Sequence, residues 1–270
     1  MMRVLLCAIL VLIVMTSCQN KPAGQVKTNT GDTLMYKYKS AKKTTGACKK
    51  PDDICATVEF SYPVFETGQG DSINKWVAQK MGEGYMDTMI HTNYEEVMQQ
   101  FLTGYDEMLK SMPDYVTPWE YNKGIIVDKQ VPGYITLHVS IYEFAGGAHP
   151  NASDAYFHYD ITNHKDFTID DLLVTGGDAR LKTIAEGIFR KEFKLGDDVS
   201  LDSAGFFFDN GKFSLPANYT FTKDGIMFHY NDYEIRSHAE GPYDLTVPYT
   251  EIKDIAKPSS YLSALIPAVQ

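Results

Sequence analysis

Positive charge is in short supply in this chain: 25 Lys and Arg stand against 35 Asp and Glu, a formal net charge of −10. Such a surface repels a polyanionic backbone, which excludes nucleic acid as an expected partner; a cationic partner, or solubility alone, fits the charge. No apolar run is long enough to span a bilayer comfortably, the best being VLLCAILVLIVM near the start. Cysteine is scarce, at four residues in 270. There is no G-x-S-x-G elbow, no H-E-x-x-H, no P-loop and no dinucleotide glycine pattern, so no cofactor is expected.

What is present is the composition of an ordinary folded protein, 44% hydrophobic and 22% charged, long enough for one large domain or two small ones. The basic start MMR, the apolar segment and the small residues of MTSC precede Cys18. Together they resemble a bacterial lipoprotein signal, so residues 1–17 are expected to be removed and Cys18 lipidated. That places the protein at the cell envelope, anchored to the bilayer by its N-terminus, with residues 18–30 as a polar tether. Cys48 and Cys55 in CKKPDDIC then form an expected disulfide around a proline turn, because neither zinc nor two-residue redox spacing is present.

Alternation and helical periodicity predict an α+β fold, antiparallel sheets with packed helices, in two small domains at 31–118 and 119–260. In the first, TLMYKYKSAK and ICATVEFSYPVF read as strands, followed by a short helix over DSINKWVAQKMGEG. A longer helix runs from about 93 to 111, with Thr92 and Glu95 at capping-box spacing and a stripe of Tyr94, Val97, Met98, Phe101, Leu102, Tyr105, Met108 and Leu109. From Trp119 the period changes to two. Ile135, Leu137, Val139 and Ile141 share one face of a strand, and Thr136, His138, Ser140 and Tyr142 the other. A helix over DARLKTIAEGIFRKEF and further strands around Asp224-Gly225 complete the pattern.

Chemistry-bearing residues are few. The loop AGGAHPN supplies Gly146, Gly147, His149 and Asn151, read as a shaped structural or binding turn in which the glycines take backbone conformations closed to other residues. His149, Asp154 and His158 come nearest to a metal cluster, and His149 with Asp154 to a base pair, but no further ligand or nucleophile accompanies them, so neither a metal site nor a catalytic set is expected. The segment EIRSHAEGPY, with His238, is a binding loop or an ordered crossover.

The stretches YEFAGGAHPN, FTIDDLL and FTKDGIMFHYNDYEIRSHAEGPYDLTVPYTEI resemble, in order and spacing, the C-terminal domain of RsiV-type bacterial envelope ectodomains, with a looser likeness in the first half. One branch of that family is an anti-sigma factor whose extracellular part binds lysozyme, and related domains accompany a peptidoglycan deacetylase. This sequence has neither a sigma-binding segment nor a metal-dependent deacetylase domain. The resemblance therefore implies a non-catalytic lipoprotein module that binds a cationic muramidase or another envelope protein. The alternatives are an envelope hydrolase acting on wall glycan or peptide with the His149 loop at its site, and a structural or assembly role.

Overall fold

The computed structural model describes residues 34–45, 54–66, 68, 70–83 and 93–266. Strand β1 (Tyr36–Thr44) is nearly all exposed and pairs antiparallel with β2 (Ala56–Phe65). Lys37, Lys39, Lys42 and Lys43 line this sheet edge, where charge opposes the addition of another strand. On β2, Ala56, Val58 and Phe60 are fully buried. Cys55, just before it, is disulfide-bonded, and its expected partner Cys48 lies outside the described residues, as does Cys18.

The next pairing is parallel, β2 beside β3 (Trp119–Val131), where the sequence suggested antiparallel strands throughout. Parallel neighbours need a crossover, and helices α1 (Gly70–Gly82) and α2 (Tyr94–Ser111) supply it while covering one face of the sheet. The expected stripe is in place, with Val97, Met98, Leu102 and Tyr105 buried. The cap of α2 is Asn93, whose side chain accepts from the Glu96 amide at 3.0 Å. Thr92, the expected cap, lies outside the described residues.

Strands β4 (Tyr134–Phe144), β5 (Asn151–Asp160) and β6 (Lys165–Asp166) extend the sheet to six in sequence order. The sheet thus continues through residue 118 without interruption. Ile135, Leu137 and Val139 pack with the helices, so the polar residues alternating with them, His138 among them, face the other way. There a second, three-stranded antiparallel sheet is found, of β7 (Tyr219–Phe221), β8 (Gly225–Tyr230) and β9 (Tyr243–Pro248). Its far side carries α3 (Gly177–Glu192), whose Leu181, Ala185 and Phe189 are buried in an aromatic core; the Phe189 ring lies within 5.7 Å of those of Phe206, Phe208, Phe213 and Tyr243. Two short helices, α4 (Tyr249–Ile252) and α5 (Tyr261–Leu265), complete this layer.

The sheets are joined by side chains. His158 of β5 is buried, with Nε2 2.9 Å from the Tyr219 carbonyl and Nδ1 2.6 Å from the Tyr134 hydroxyl. The carbonyl can only accept, so Nε2 carries the proton and Nδ1 accepts from Tyr134. Burial depresses the imidazole pKa to about 4 against a weaker opposing bond to the Tyr219 carbonyl, so the ring is neutral at neutral pH. Beyond it, β5 would be an open edge. Asn231 accepts from the Asp154 amide (2.7 Å) and donates to the Asp154 carbonyl (3.0 Å), while Asn218 accepts from the Tyr156 amide and donates to that same carbonyl, both at 2.8 Å. Two asparagine amides thereby do the work of a neighbouring strand. Among the described residues no helix is long and apolar enough to cross a membrane.

Candidate functional site

The AGGAHPN loop joins β4 to β5. Gly146 and Gly147 have φ of +84° and +103°, the left-handed region expected of them, and Asn151 opens β5 opposite Glu143. His149 is exposed. Its Nδ1 lies 2.9 Å from the Pro150 carbonyl and its Nε2 3.3 Å from the Tyr233 hydroxyl, so with Nδ1 donating, Nε2 accepts from Tyr233. The ring stacks on His238 at 4.3 Å, and His238 on Tyr233 at 5.4 Å. His238 Nδ1 stands 2.8 Å from Asp232 Oδ2 without hydrogen-bond alignment. Tyr233 itself holds φ of 66°, a conformation a tyrosine rarely adopts. The two loops noted separately in the sequence therefore meet as one stack of three rings.

The His149, Asp154 and His158 set does not assemble. His158 is committed to the joint between the sheets, and Asp154 turns to His138. Among the described residues no group of three or more His, Cys, Asp or Glu is placed to hold a metal ion.

A second constellation lies where the faces of the two sheets approach. In the β4–β5 register His138 is opposite Tyr156 and Ser140 opposite Asp154, so His138 reaches Asp154 along the diagonal. His138 Nε2 is 2.6 Å from Asp154 Oδ1, and the imidazole stacks on the Tyr156 ring at 4.7 Å and 14°. On the other sheet His229 and Asp244 are cross-strand partners, with Nδ1 2.7 Å from Oδ1. The Tyr156 ring stands edge-on to His229 at 6.4 Å. Two imidazole–carboxylate pairs, one from each sheet, thus flank one phenol.

The electrostatics follow from this placement. The His138 hydrogen bond, opposed by burial and aided by the charges of His138 and His229, holds the Asp154 carboxyl below its ordinary pKa. Burial works against charge on His229, but the bond to Asp244, the charges of Asp244 and Asp154 and the Asn231 side chain together raise its pKa. Burial, with Asp128, Asp154 and Asp244 near by, pushes the Tyr156 phenol up to about 12, so it remains a proton donor at neutral pH. His229 Nε2 is buried and has no hydrogen-bond partner within reach among the described residues. The sequence offers His138 only as one polar residue of β4 and pairs Asp154 with His149 and His158 rather than with His138. Tyr156, His229 and Asp244 were not singled out, and the only local trace was the turn at Asp224-Gly225 that begins β8.

Comparison with known proteins divides the chain at this site. The model of the deacetylase PdaC matches residues 48–152, which include His138 and the His149 loop. That of DUF3298, a family of unknown function, matches residues 170–250, which include His229 and Asp244. A crystal structure of a DUF3298 family protein from Pseudomonas aeruginosa is similar, at 20% identity and a TM-score of 0.66, over 87% of this chain and 98% of that one. Another DUF3298 structure, from Bacteroides fragilis, gives 21% identity and a TM-score of 0.67 over 86% and 97%. No curated protein matches the chain. The structural likenesses bear on the fold. The match to a deacetylase model corrects the expectation of a purely non-catalytic binding module and the view that the chain is more naturally not an enzyme. The sequence carries none of the four short motifs considered, and these imidazoles and carboxylates come together through strand register.

Proposed function

We propose that this chain is an exported envelope hydrolase that removes acyl groups from a wall polymer, glycan or peptide, at the His138, Asp154 and Tyr156 constellation where the two sheets face each other. The observation that carries the reading is the His138–Asp154 pair at 2.6 Å beside Tyr156. A carboxylate that fixes one imidazole nitrogen leaves the other as an oriented base, and Nδ1 of His138 has that role. The deacetylase whose model matches residues 48–152 supports hydrolysis of an acyl bond as the reaction class.

Water gives a proton to His138 Nδ1 as its oxygen bonds to the acyl carbon. The carbonyl electron pair moves onto oxygen, where the Tyr156 hydroxyl donates a hydrogen bond. Collapse of the adduct expels the nitrogen or oxygen of the polymer, which takes the proton back from His138. Products are a carboxylic acid and the freed amine or alcohol. His229, its pKa raised by Asp244, Asp154 and Asn231 against the effect of burial, stands 6.4 Å from the Tyr156 ring. Asp154 and Asp244 are positioning residues. The His149, His238 and Tyr233 stack forms one end of the region, reached through Asn231 and Asp232.

The test is acetate release from N-acetylated chitooligosaccharides and acylated wall fragments. His138→Ala and Tyr156→Phe should each lower turnover, the former by about 10²-fold or more, with circular dichroism unchanged. No acetate from the wild type on any of these substrates, or full activity in His138→Ala, sinks the reading. Lipidation of Cys18 would hold the enzyme at the membrane surface; an intact mass for the N-terminal peptide without the lipid would remove that part.

A further inference from the structure

Away from the His138 constellation, the β3–β4 turn, the β5–β6 turn and the segment entering α5 line a half-open recess of about 630 Å³. One wall is aromatic. Tyr134 lies parallel to Tyr261 at 4.0 Å and tilted against Phe167 at 5.0 Å. The polar lining is unequal in what it leaves free. Asp160 already accepts from the Asn163 amide at 2.9 Å and from its side-chain nitrogen at 2.7 Å, and Asp171 accepts from the Thr168 amide at 2.9 Å. The ammonium groups of Lys165 and Lys257, also on the lining, make no hydrogen bond or ion pair within contact distance of any described residue, although Lys165 is near enough to Asp160 to act on its charge.

The backbone of this rim is held in place. Lys257 donates its amide to the Leu172 carbonyl at 2.8 Å, and the Ser260 amide returns to the Lys257 carbonyl at 3.1 Å. Between them Ser259 holds φ of 61°, a strained turn for a serine. The chain thus fixes two ammonium-bearing residues at the mouth of an aromatic-walled recess in a protein whose net charge is −10.

We infer that this cavity binds a carboxylate carried on a small apolar body, the free terminus of a short acylated peptide. Its carboxylates accept hydrogen bonds from the backbone and Asn163, while neither ammonium has a direct hydrogen-bond partner among the described residues, so the group that completes it is an anion. The ring wall suits an apolar body, and the volume is within the range of small-molecule sites and large enough for a dipeptide. Phosphate would satisfy the lysines but would leave the aromatic wall without a partner.

The probe is N-acetyl-alanyl-alanine, titrated calorimetrically into the purified exported chain, with its C-terminal amide and inorganic phosphate as comparisons. The acid should bind and the amide should be at least about tenfold weaker. The double variant Lys165→Gln with Lys257→Gln should weaken the acid by a similar factor. Both lysines are exposed, so the fold should survive, with circular dichroism as the check. Equal binding of acid and amide, no heat from the acid at about 10 mM (well above the micromolar to millimolar range of such sites), or phosphate competing at equal concentration would each overturn the assignment. Acetate release should be unchanged in the double variant, because none of the residues proposed for the hydrolytic step lines this cavity. Loss of hydrolysis and loss of peptide binding are therefore separate outcomes.

Discussion

Replacing Lys123 with methionine keeps most of the side chain's length and removes its charge, at a position only 2% exposed. The ammonium lies at the C-terminal end of α1, donating to the Glu83 carbonyl and, at 3.4 Å, to that of Met81. This is where a cation satisfies carbonyls that the helix leaves unpaired. The position carries a penalty as well. Burial, against the attraction of Glu83 and together with the repulsion of Lys80, lowers the Lys123 pKa from 10.5 to about 8. A lysine whose folded pKa is lower than its unfolded one makes the unfolded chain bind more protons between those values, so stability rises as pH climbs from about 8 to about 10.5. Over the whole window the gain is about 3 kcal/mol, and between about pH 7 and about pH 9.5 it is about 2 kcal/mol. The absolute stability will not show this cleanly, since buried tyrosines such as Tyr134, Tyr219 and Tyr243 have raised pKa values and lose stability as the unfolded phenols ionise. The difference between wild type and Lys123→Met cancels them. Urea unfolding of both proteins across this range should show the wild type gaining about 2 kcal/mol on the variant. Parallel curves would mean that Lys123 is not desolvated, and the capping argument would fail with it.

His158 and His229 should give pH dependences of opposite sign. The folded pKa of His158, about 4, is lower than the unfolded value of 6.5, so its contribution is present above pH 6.5 and lost as pH falls towards 4, by about 3 kcal/mol. That acid loss should vanish in His158→Gln, as read by thermal unfolding. The raised pKa of His229 stabilises fully below its unfolded value and is lost as pH rises through the folded one, so His229→Gln should cost more at mildly acidic than at alkaline pH. In the AGGAHPN loop, Gly146→Ala should be worse than Gly147→Ala. Both carry left-handed strain of about 1–2 kcal/mol, but a Cβ on Gly146 comes 2.3 Å from the Tyr115 hydroxyl, which accepts from Trp119 Nε1 at 3.0 Å, whereas one on Gly147 meets nothing. Only the first should shift tryptophan emission. Gly225→Ala should be the most damaging of these glycine changes, because its Cβ would stand 2.1 Å from the Val247 carbonyl oxygen across the β8–β9 ladder. Normal expression with an unchanged melting point would refute that.

Local patterns carried the fold a long way. The three-and-four spacing of Val97, Met98, Leu102 and Tyr105 placed α2 and its buried face, and the alternation in YITLHVSIYEF placed Ile135, Leu137 and Val139 towards the helices. What local pattern could not carry was pairing between distant strands. ICATVEFSYPVF reads the same whether its neighbour runs parallel or antiparallel, so the parallel β2–β3 match across α1 and α2 was hidden. The site is hidden for the same reason. His138 and Asp154 are sixteen residues apart and His229 and Asp244 fifteen, yet each pair is within hydrogen-bond reach.

Register decides whether those residues meet. Because side chains alternate along a strand, a one-residue slip of β5 against β4 would send Asp154 and Tyr156 to the helix side and bring Ala155 beside His138. The apolar residues of β5 forbid the slip, since it would carry Phe157 and Tyr159 away from the helix-side core. The β4–β5 half of the site is therefore specified by the apolar residues on the opposite face, none of which touches it. The β8–β9 half is specified in the same way, with buried Tyr243, Leu245 and Val247 alternating with Asp244 along β9, and the loop from Asn231 to Pro242 adds contacts of its own: Asn231 to β5, Arg236 to the Gly241 carbonyl, and the Ser237–Glu240 capping box. EIRSHAEGPY is thus an ordered connection between antiparallel neighbours rather than a crossover, and it leads the chain from His229 back to Asp244. An insertion there should separate that pair while leaving His138 and Asp154 in contact. The His229-dependent pH response should then disappear while the His138–Asp154 hydrogen bond survives, a result that nuclear magnetic resonance of the imidazole nitrogens can read directly. If both pairs were lost together, the two sheets would be coupled through the loop rather than through His158, and the joint proposed for them would have to be moved.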